Sequence, residues 1–369
     1  MADFHLGVEN GHSILQRPRA SHNRWHPDIP PVLRVAAGDR VTIQTRDSFD
    51  GQIVPGKTTV DDFGSISIGR AHPLTGPLYV AGAEPGDLLA VTIEAVLPAT
   101  HGFTAILPGF GFLRDYFPKP HLIHWDLADG VARSRQLPGV RIPGAPFMGV
   151  MGLAPSHALM NRICARERDL HSRGGTVFLP DPHEAVPDRP DIAKTGLRTI
   201  APHETGGNMD IKQLTAGTTL YLPVAAPGGL FSTGDAHFAQ GDGESCGTAI
   251  ETSATLVAVF DVLKGEAARR NQNDPSFSGE CDFRAPRKFY ATTGIPVHRD
   301  GRNEGEDLTL AARNALLNMI DYLSDAYGLT REQAYCVTSV ACDLKVSQAV
   351  DVPNVTVSVF VPLDIFERG

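Results

Sequence analysis

Long apolar runs, paired cysteines and clusters of basic residues are all missing from these 369 residues, and each absence narrows the function. No stretch of 18 apolar residues occurs, so a membrane-spanning helix is not expected. The start, Met1-Ala2-Asp3-Phe4-His5, lacks a basic region followed by an apolar one, so no secretory signal is expected. The five cysteines (Cys164, Cys246, Cys281, Cys336, Cys342) are odd in number, widely spaced and never in C-x-x-C, which fits reduced thiols in a cytoplasmic protein. Basic residues number 33 against 42 acidic ones, for a formal charge of −9, and no basic stripe is present. Phosphate binding needs clustered cations, so neither a nucleic-acid nor a membrane partner is expected. Neither a dinucleotide fingerprint nor H-E-x-x-H occurs, and neither an α/β-hydrolase serine nor a nucleotide-binding P-loop is expected.

What is abundant is turn punctuation. The 37 glycines and 28 prolines are spread along the chain, which suits many short strands joined by turns. A glycine turn feeds a β-rich stretch three times: Gly38-Asp39 before residues 40–45, Gly86-Asp87 before residues 88–93, and Gly217-Thr218 before residues 219–222. Helical spacing is clear only late, at Leu308, Ala312, Ala315, Leu316, Met319, Ile320 and Leu323, with Gly328 as the stop. Thr330 and Gln333 then form a capping-box pattern for a second helix, and Val355 to Val359 alternates like a final strand. The fold class expected is mainly β or α+β: antiparallel β-rich sandwich or barrel-like subdomains with a small C-terminal helical part. The expected organisation is an N-terminal β-rich part over 1–180, a Pro-rich loop over 181–200, and a C-terminal β-rich part over 201–369.

Potential ligands are densest in Gly234-Asp235-Ala236-His237-Phe238-Ala239-Gln240-Gly241-Asp242-Gly243-Glu244. On a strand, Asp235 and His237 face the same side, where a carboxylate and an imidazole can meet one ion. The glycines that follow allow a turn that swings Asp242 or Glu244 back toward the same point. Upstream, Gly206-Gly207-Asn208-Met209-Asp210 places Asn208 and Asp210 on one face if the chain stays extended. Cys246 offers a different chemistry, a thiol nucleophile activated by His237, or simply a buried small apolar residue. The segments Thr45–Gln52 and His72–Pro77 read as turns without a chemical signal of their own.

Together these stretches resemble a known family. His22–Trp25, Thr45–Gln52, TGPLYVAGAEPGD (75–87), IPGAPFMGVMGLAP (142–155), GGNMD (206–210), GDAHFAQGDGESCGTAIE (234–251) and DLKVSQAVDVP (343–353) look like the acetamidase/formamidase family over nearly the whole chain. GGNMD and GDAHFAQGDGE are the most specific of them. The resemblance implies a β-rich fold, hydrolysis of formamide or acetamide to ammonia and a carboxylate, a bound divalent metal, and a homo-oligomer. The resulting expectation has Asp210, Asp235 and His237 as metal ligands, Glu244 as general base and then acid, and Asn208 as a donor to the carbonyl oxygen. The expected cofactor is a divalent metal, Zn2+ first, with Ca2+ as a second, structural ion. Two rival readings use the same segments: a non-catalytic, metal-dependent β-sandwich that binds a small ligand, and an amidase with Cys246 as nucleophile.

Overall fold

A computed structural model describes residues 2–8, 11–280 and 288–367; Cys281 lies outside them. Two large sheets form the body. The six-stranded sheet runs Asp3–Leu6, Arg40–Gln44, Ala254–Leu263, Leu88–Pro98, Thr218–Pro223, Ser276–Gly279. All three strands entered from the glycine turns lie in it. Asp39 and Asp87 do matching work there: each carboxylate accepts the amide three residues back, from Ala36 and Glu84, both at 2.8 Å. Such side-chain-to-backbone bonds close the turn that aims the chain into the strand that follows.

The second sheet has twelve strands, with Phe231–His237 near its centre. Its inner face packs Met148, Met151, Leu153, Phe231 and Ala236 against Val41, Ile43, Val91, Leu220, Leu256 and Phe260 of the first sheet. These side chains are almost wholly buried, and each large one contributes about 1.5–3 kcal/mol by leaving water. A sandwich with antiparallel pairing throughout most of its ladders results, as the turn-rich sequence implies.

Strands from before 181 and after 200 alternate in both large sheets, so these two parts share one core. The Pro-rich stretch between them is tied down. Arg24 donates to the carbonyls of Asp181 (2.7 Å) and His183 (3.1 Å), and Glu184 accepts from Arg70 at 3.0 Å.

The C-terminal part is as the spacing implies: helix Leu308–Tyr327 ends at Gly328 in the left-handed region, and helix Arg331–Ala341 starts with the Thr330/Gln333 capping box. Both pack on a three-stranded sheet, Phe289–Gly294, Thr356–Pro362 and Asp343–Gln348. One correction is needed. The chain also holds a 16-residue helix, His157–Ser172, well before the C-terminal region. Its buried side chains, Leu159, Met160, Ile163 and Cys164, are confined to the first two turns, so its apolar stripe is too short to dominate the pattern. The Ser156 cap, accepting from the Leu159 amide at 3.2 Å, was the available signal.

Candidate active site

The site is assembled by pairing in the large sheet. Phe231–His237 has Phe147–Leu153 on one side, and Glu251–Thr252 and Leu74–Val80 on the other. The register sets His237 beside Glu251. Strand Gly206–Asn208 pairs beyond Phe147–Leu153, and the chain then bends so that the Met209 and Asp210 amides donate to the Gly149 carbonyl at 3.1 and 3.3 Å. Asp210 is thereby brought to His237.

His237 is fully buried, and four carboxylates surround it. From its Nε2, Glu251 Oε2 lies at 3.3 Å, Asp235 Oδ1 at 3.4 Å and Glu244 Oε1 at 3.9 Å; Asp210 Oδ1 lies 4.0 Å from Nδ1. Two overlapping triads, Asp235/His237/Glu251 and Asp210/His237/Glu244, each keep their ligand atoms within 4.8 Å of one another. Four buried atoms here have no hydrogen-bond partner: Asp210 Oδ1, Asp235 Oδ1, Glu251 Oε2 and His237 Nε2. The contacts at 3.3 and 3.4 Å are thus close but not aligned as hydrogen bonds. Buried polar atoms are nearly always paired, so four unpaired donor atoms gathered around one imidazole are available to a cation. Three oxygens and one imidazole nitrogen are a donor set that Zn2+ accepts.

Several features hold this arrangement in place. His237 Nδ1 bonds Gln240 Oε1 at 2.9 Å, and Gln240 Nε2 donates to the Asp210 carbonyl at 2.7 Å, so Nδ1–H is the donor and Nε2 faces the acids. Gly149 forms the floor. A Cβ there would stand 2.6 Å from Asp210 Oδ1 and 2.9 Å from both Asp235 Oδ2 and His237 Cε1. Asp210, Asp235 and Glu244 all adopt positive φ (49°, 54° and 39°), which non-glycine residues rarely do and which costs about 1–3 kcal/mol each. Asp235 therefore does not reach His237 by regular strand alternation, although it lies on the same side.

The charges shift one another. Burial pushes the Asp210 carboxyl up to about 7, with Asp235 and Glu251 adding to the effect against the pull of His237. Burial, then the Asp210 charge, raises Glu244 well above the carboxylate range. Burial also raises Glu251, against His237. At Asp235 burial is outweighed by His72 and His237, and its carboxyl is held low. His237 is raised despite burial, because Glu251 and Asp235 favour its charged form.

A cavity of about 360 Å³ opens in front of the cluster, and Asn208, Asp210, Asp235, Glu244 and Glu251 line it together with His72. His72 Nδ1 donates to the Thr199 carbonyl at 3.1 Å, which leaves Nε2 free. Asn208 spends one amide hydrogen on the Ile200 carbonyl at 3.0 Å, while its Oδ1 is buried without a partner. The fold thus brings together Asn208, Asp210, Asp235, His237 and Glu244. It adds Glu251, Gln240, Gly149 and His72, none of which carried the sequence reading. His72 in particular corrects the reading of 72–77 as a turn without chemistry.

Asp242 turns away, 3.5 Å from Lys212. Cys246 is fully buried and outside the cavity wall, with its thiol on the carbonyls of Thr248 (3.5 Å) and Ala105 (3.8 Å). Two letter patterns in the sequence do not carry the chemistry that they spell. Gly243-Glu244-Ser245-Cys246-Gly247 has the G-x-S-x-G spacing, but Ser245 is buried against Thr338 (3.1 Å) in a turn, not on a strand-to-helix elbow. Gly51 to Thr58 (GQIVPGKT) has the P-loop spacing, but no strand runs directly into it and no α-helix directly follows, and Thr58 Oγ1 folds back onto the Val54 amide at 2.8 Å.

Comparison with known proteins places this geometry in a family. The model of the acetamidase/formamidase family matches residues 7–368. The chain is 36% identical over 370 residues to an acetamidase of Mycolicibacterium smegmatis, covering 91% of this chain and 89% of that one. It is 35% identical over 366 residues to a formamidase of Methylophilus methylotrophus, covering 94% and 89%. A γ-lactamase from Delftia acidovorans superimposes with a TM-score of 0.94 at 31% identity, over 99% of this chain and 94% of that one. An acetamidase from Bacillus halodurans gives a TM-score of 0.56 at 25% identity, over 98% and 97%. The chain belongs to the acetamidase/formamidase family and is an amidohydrolase.

Proposed function

We propose that this chain hydrolyses a small aliphatic amide, with formamide and acetamide as its simplest substrates, to a carboxylate and ammonia by water activated at a divalent-metal site. The observation that carries the metal is the set of four orphaned donor atoms on Asp210, Asp235, His237 and Glu251. These residues would hold the ion, Zn2+ by donor type. A divalent ion there supplies Lewis acidity, polarising a carbonyl and lowering the pKa of water from 15.7 to about 7.

The rest of the chemistry belongs to the protein. Gln240 keeps the His237 ring oriented. Glu244 lies at the cavity rather than behind it, and burial among acids gives it a high proton affinity. In its ionised form this carboxylate can take a proton from the attacking water and pass it to the departing nitrogen, which avoids expelling an amide anion. Asn208 lines the cavity with one amide hydrogen uncommitted, suited to the carbonyl oxygen as it gains charge. The nitrogen leaves as ammonia and the acyl carbon keeps the oxygen of water, so atoms and protons balance.

Ammonia release from formamide and acetamide, measured beside the metal content of the purified protein, tests the reading. Turnover that tracks bound metal supports it. Metal binding without turnover of any amide would favour a ligand-binding protein instead. One observation favours a second substrate form, a cyclic amide: the γ-lactamase superimposes far better than the Bacillus acetamidase. Ring opening of a five-membered lactam checks it directly.

A further inference from the structure

The cavity is much larger than formamide or acetamide. It measures about 360 Å³. Three or four non-hydrogen atoms take up roughly 100 Å³, at about 30 Å³ per water-sized atom. Five large apolar side chains line the same space, Phe49, Ile68, Leu107, Phe110 and Phe112, with Ser48, Arg114, Thr176 and Thr248 among the polar ones. Phe49 is buried, while Leu107, Phe110 and Phe112 are half-buried. With formamide or acetamide bound, this apolar surface stays wet, at a cost that a longer substrate would relieve.

The apolar wall and the acidic loop are fastened together. The Phe112 amide donates to the Ser245 carbonyl at 3.0 Å. The Tyr335 hydroxyl donates to that same carbonyl and accepts the Leu113 amide at 2.8 Å. Gly111 and Gly247 permit the close approach: a Cβ on Gly111 would meet the Cys246 carbonyl oxygen at 2.7 Å, and one on Gly247 would meet Phe110 Cδ1 at 2.6 Å. The distance from Glu244 to the Phe110 ring is therefore set by fixed backbone, and the wall can act as a gauge of substrate length.

We propose that the preferred substrates are amides whose acyl group carries an apolar chain or ring of about four to eight carbons, the number that fills the remaining volume. The acyl group sits against Phe49, Leu107, Phe110 and Phe112, and Phe110 is the specificity-determining residue. This rests on the amide-hydrolysis reading, because that reading places the scissile carbon at the acids.

The test is kcat/KM for ammonia release along formamide, acetamide, propanamide, butanamide and hexanamide. It should rise about fourfold per added methylene, the worth of one buried CH2. Phe110→Ala should cut that gain to about twofold or less per methylene. Leu107→Ala should do the same and decides the matter if the first variant fails to fold. A fall in kcat/KM beyond acetamide, or an unchanged slope in both folded variants, would overturn the proposal while leaving amide hydrolysis standing. A gain seen along N-alkylformamides, read as formate release, in place of the acyl series would overturn the acyl assignment. No ammonia from any member, hexanamide included, would overturn the amide-hydrolysis reading as well.

Discussion

Gly149→Ala adds a single methyl group, and the structure says where it lands. The glycine lies on strand Phe147–Leu153, outside the positive-φ region, so the backbone accepts alanine and the effect is purely steric. Ordinary contact begins near 3.4 Å, whereas the new Cβ would stand 2.6 Å from Asp210 Oδ1 and 2.9 Å from Asp235 Oδ2 and His237 Cε1. The three groups must retreat by about 0.5–0.8 Å, on the difference between those distances. Two of them are held against doing so. The Asp210 amide is tied to the Gly149 carbonyl, and His237 is tied to Gln240. A misplacement near 1 Å costs about 10²-fold in rate. Overpacking costs about 1–3 kcal/mol of stability, which a domain of this size survives. Ammonia release, metal content and a thermal melt on one preparation separate the effects. The variant should be folded, poor in metal and slower by about two orders of magnitude. A folded variant with normal metal and a rate within twofold of wild type would refute the convergence of Asp210, Asp235 and His237 on one reaction centre.

Three further outcomes are expected. Glu244→Gln keeps the size of the side chain but removes the proton carrier, so kcat should fall about 10²–10⁴-fold with metal retained; loss of metal that added ion restores would make Glu244 a ligand instead. Cys246→Ala should keep most activity, since the thiol is buried outside the cavity, with a stability loss of roughly 1 kcal/mol seen in denaturant melts; complete loss with a trapped acyl-enzyme would establish the thiol mechanism. His22 is buried, donates from Nδ1 to the Arg24 carbonyl at 2.8 Å and accepts at Nε2 from Ser232 at 2.7 Å; burial lowers its pKa from 6.5 to about 4. The unfolded chain then takes up a proton below pH 6.5 that the folded chain refuses, so stability is lost as pH falls from 6.5 toward 4, by about 2 kcal/mol at pH 5. A His22→Gln variant should lack that component, and equal pH slopes in the two proteins would show that His22 is not its source.

Local rules made the C-terminal helices legible, because their caps and apolar stripes are complete within a short window: Thr330 with Gln333, and Ala312 to Leu323. The same holds for the turns at Asp39 and Asp87. At the site, Asp235 and His237 are near neighbours in sequence, and Asp210 and Glu244 sit on glycine turns, so they too could be read. Glu251 could not be ranked above its neighbours, since only the pairing of its strand with Phe231–His237 brings it to the imidazole. Gly149 and His72 arrive from 88 and 165 positions before His237, through sheet pairing and a loop that no local pattern records. The letters G-x-S-x-G and G-x-x-x-x-G-K-T failed in the opposite way: the spacing is there, but the strand and helix that give it chemical meaning are not.

The central claim is that one buried imidazole and its ring of carboxylates hold the ion on which hydrolysis depends. Metal stoichiometry by plasma mass spectrometry, for the wild type and for His237→Ala with folding checked by circular dichroism, tests it most directly. The account predicts bound divalent metal and amide turnover in the wild type. A chelator should remove both, and Zn2+ or another divalent ion should restore them. The folded His237→Ala protein should show neither. Full turnover by rigorously metal-free wild type, or a His237→Ala protein that keeps its metal and its rate, would contradict it.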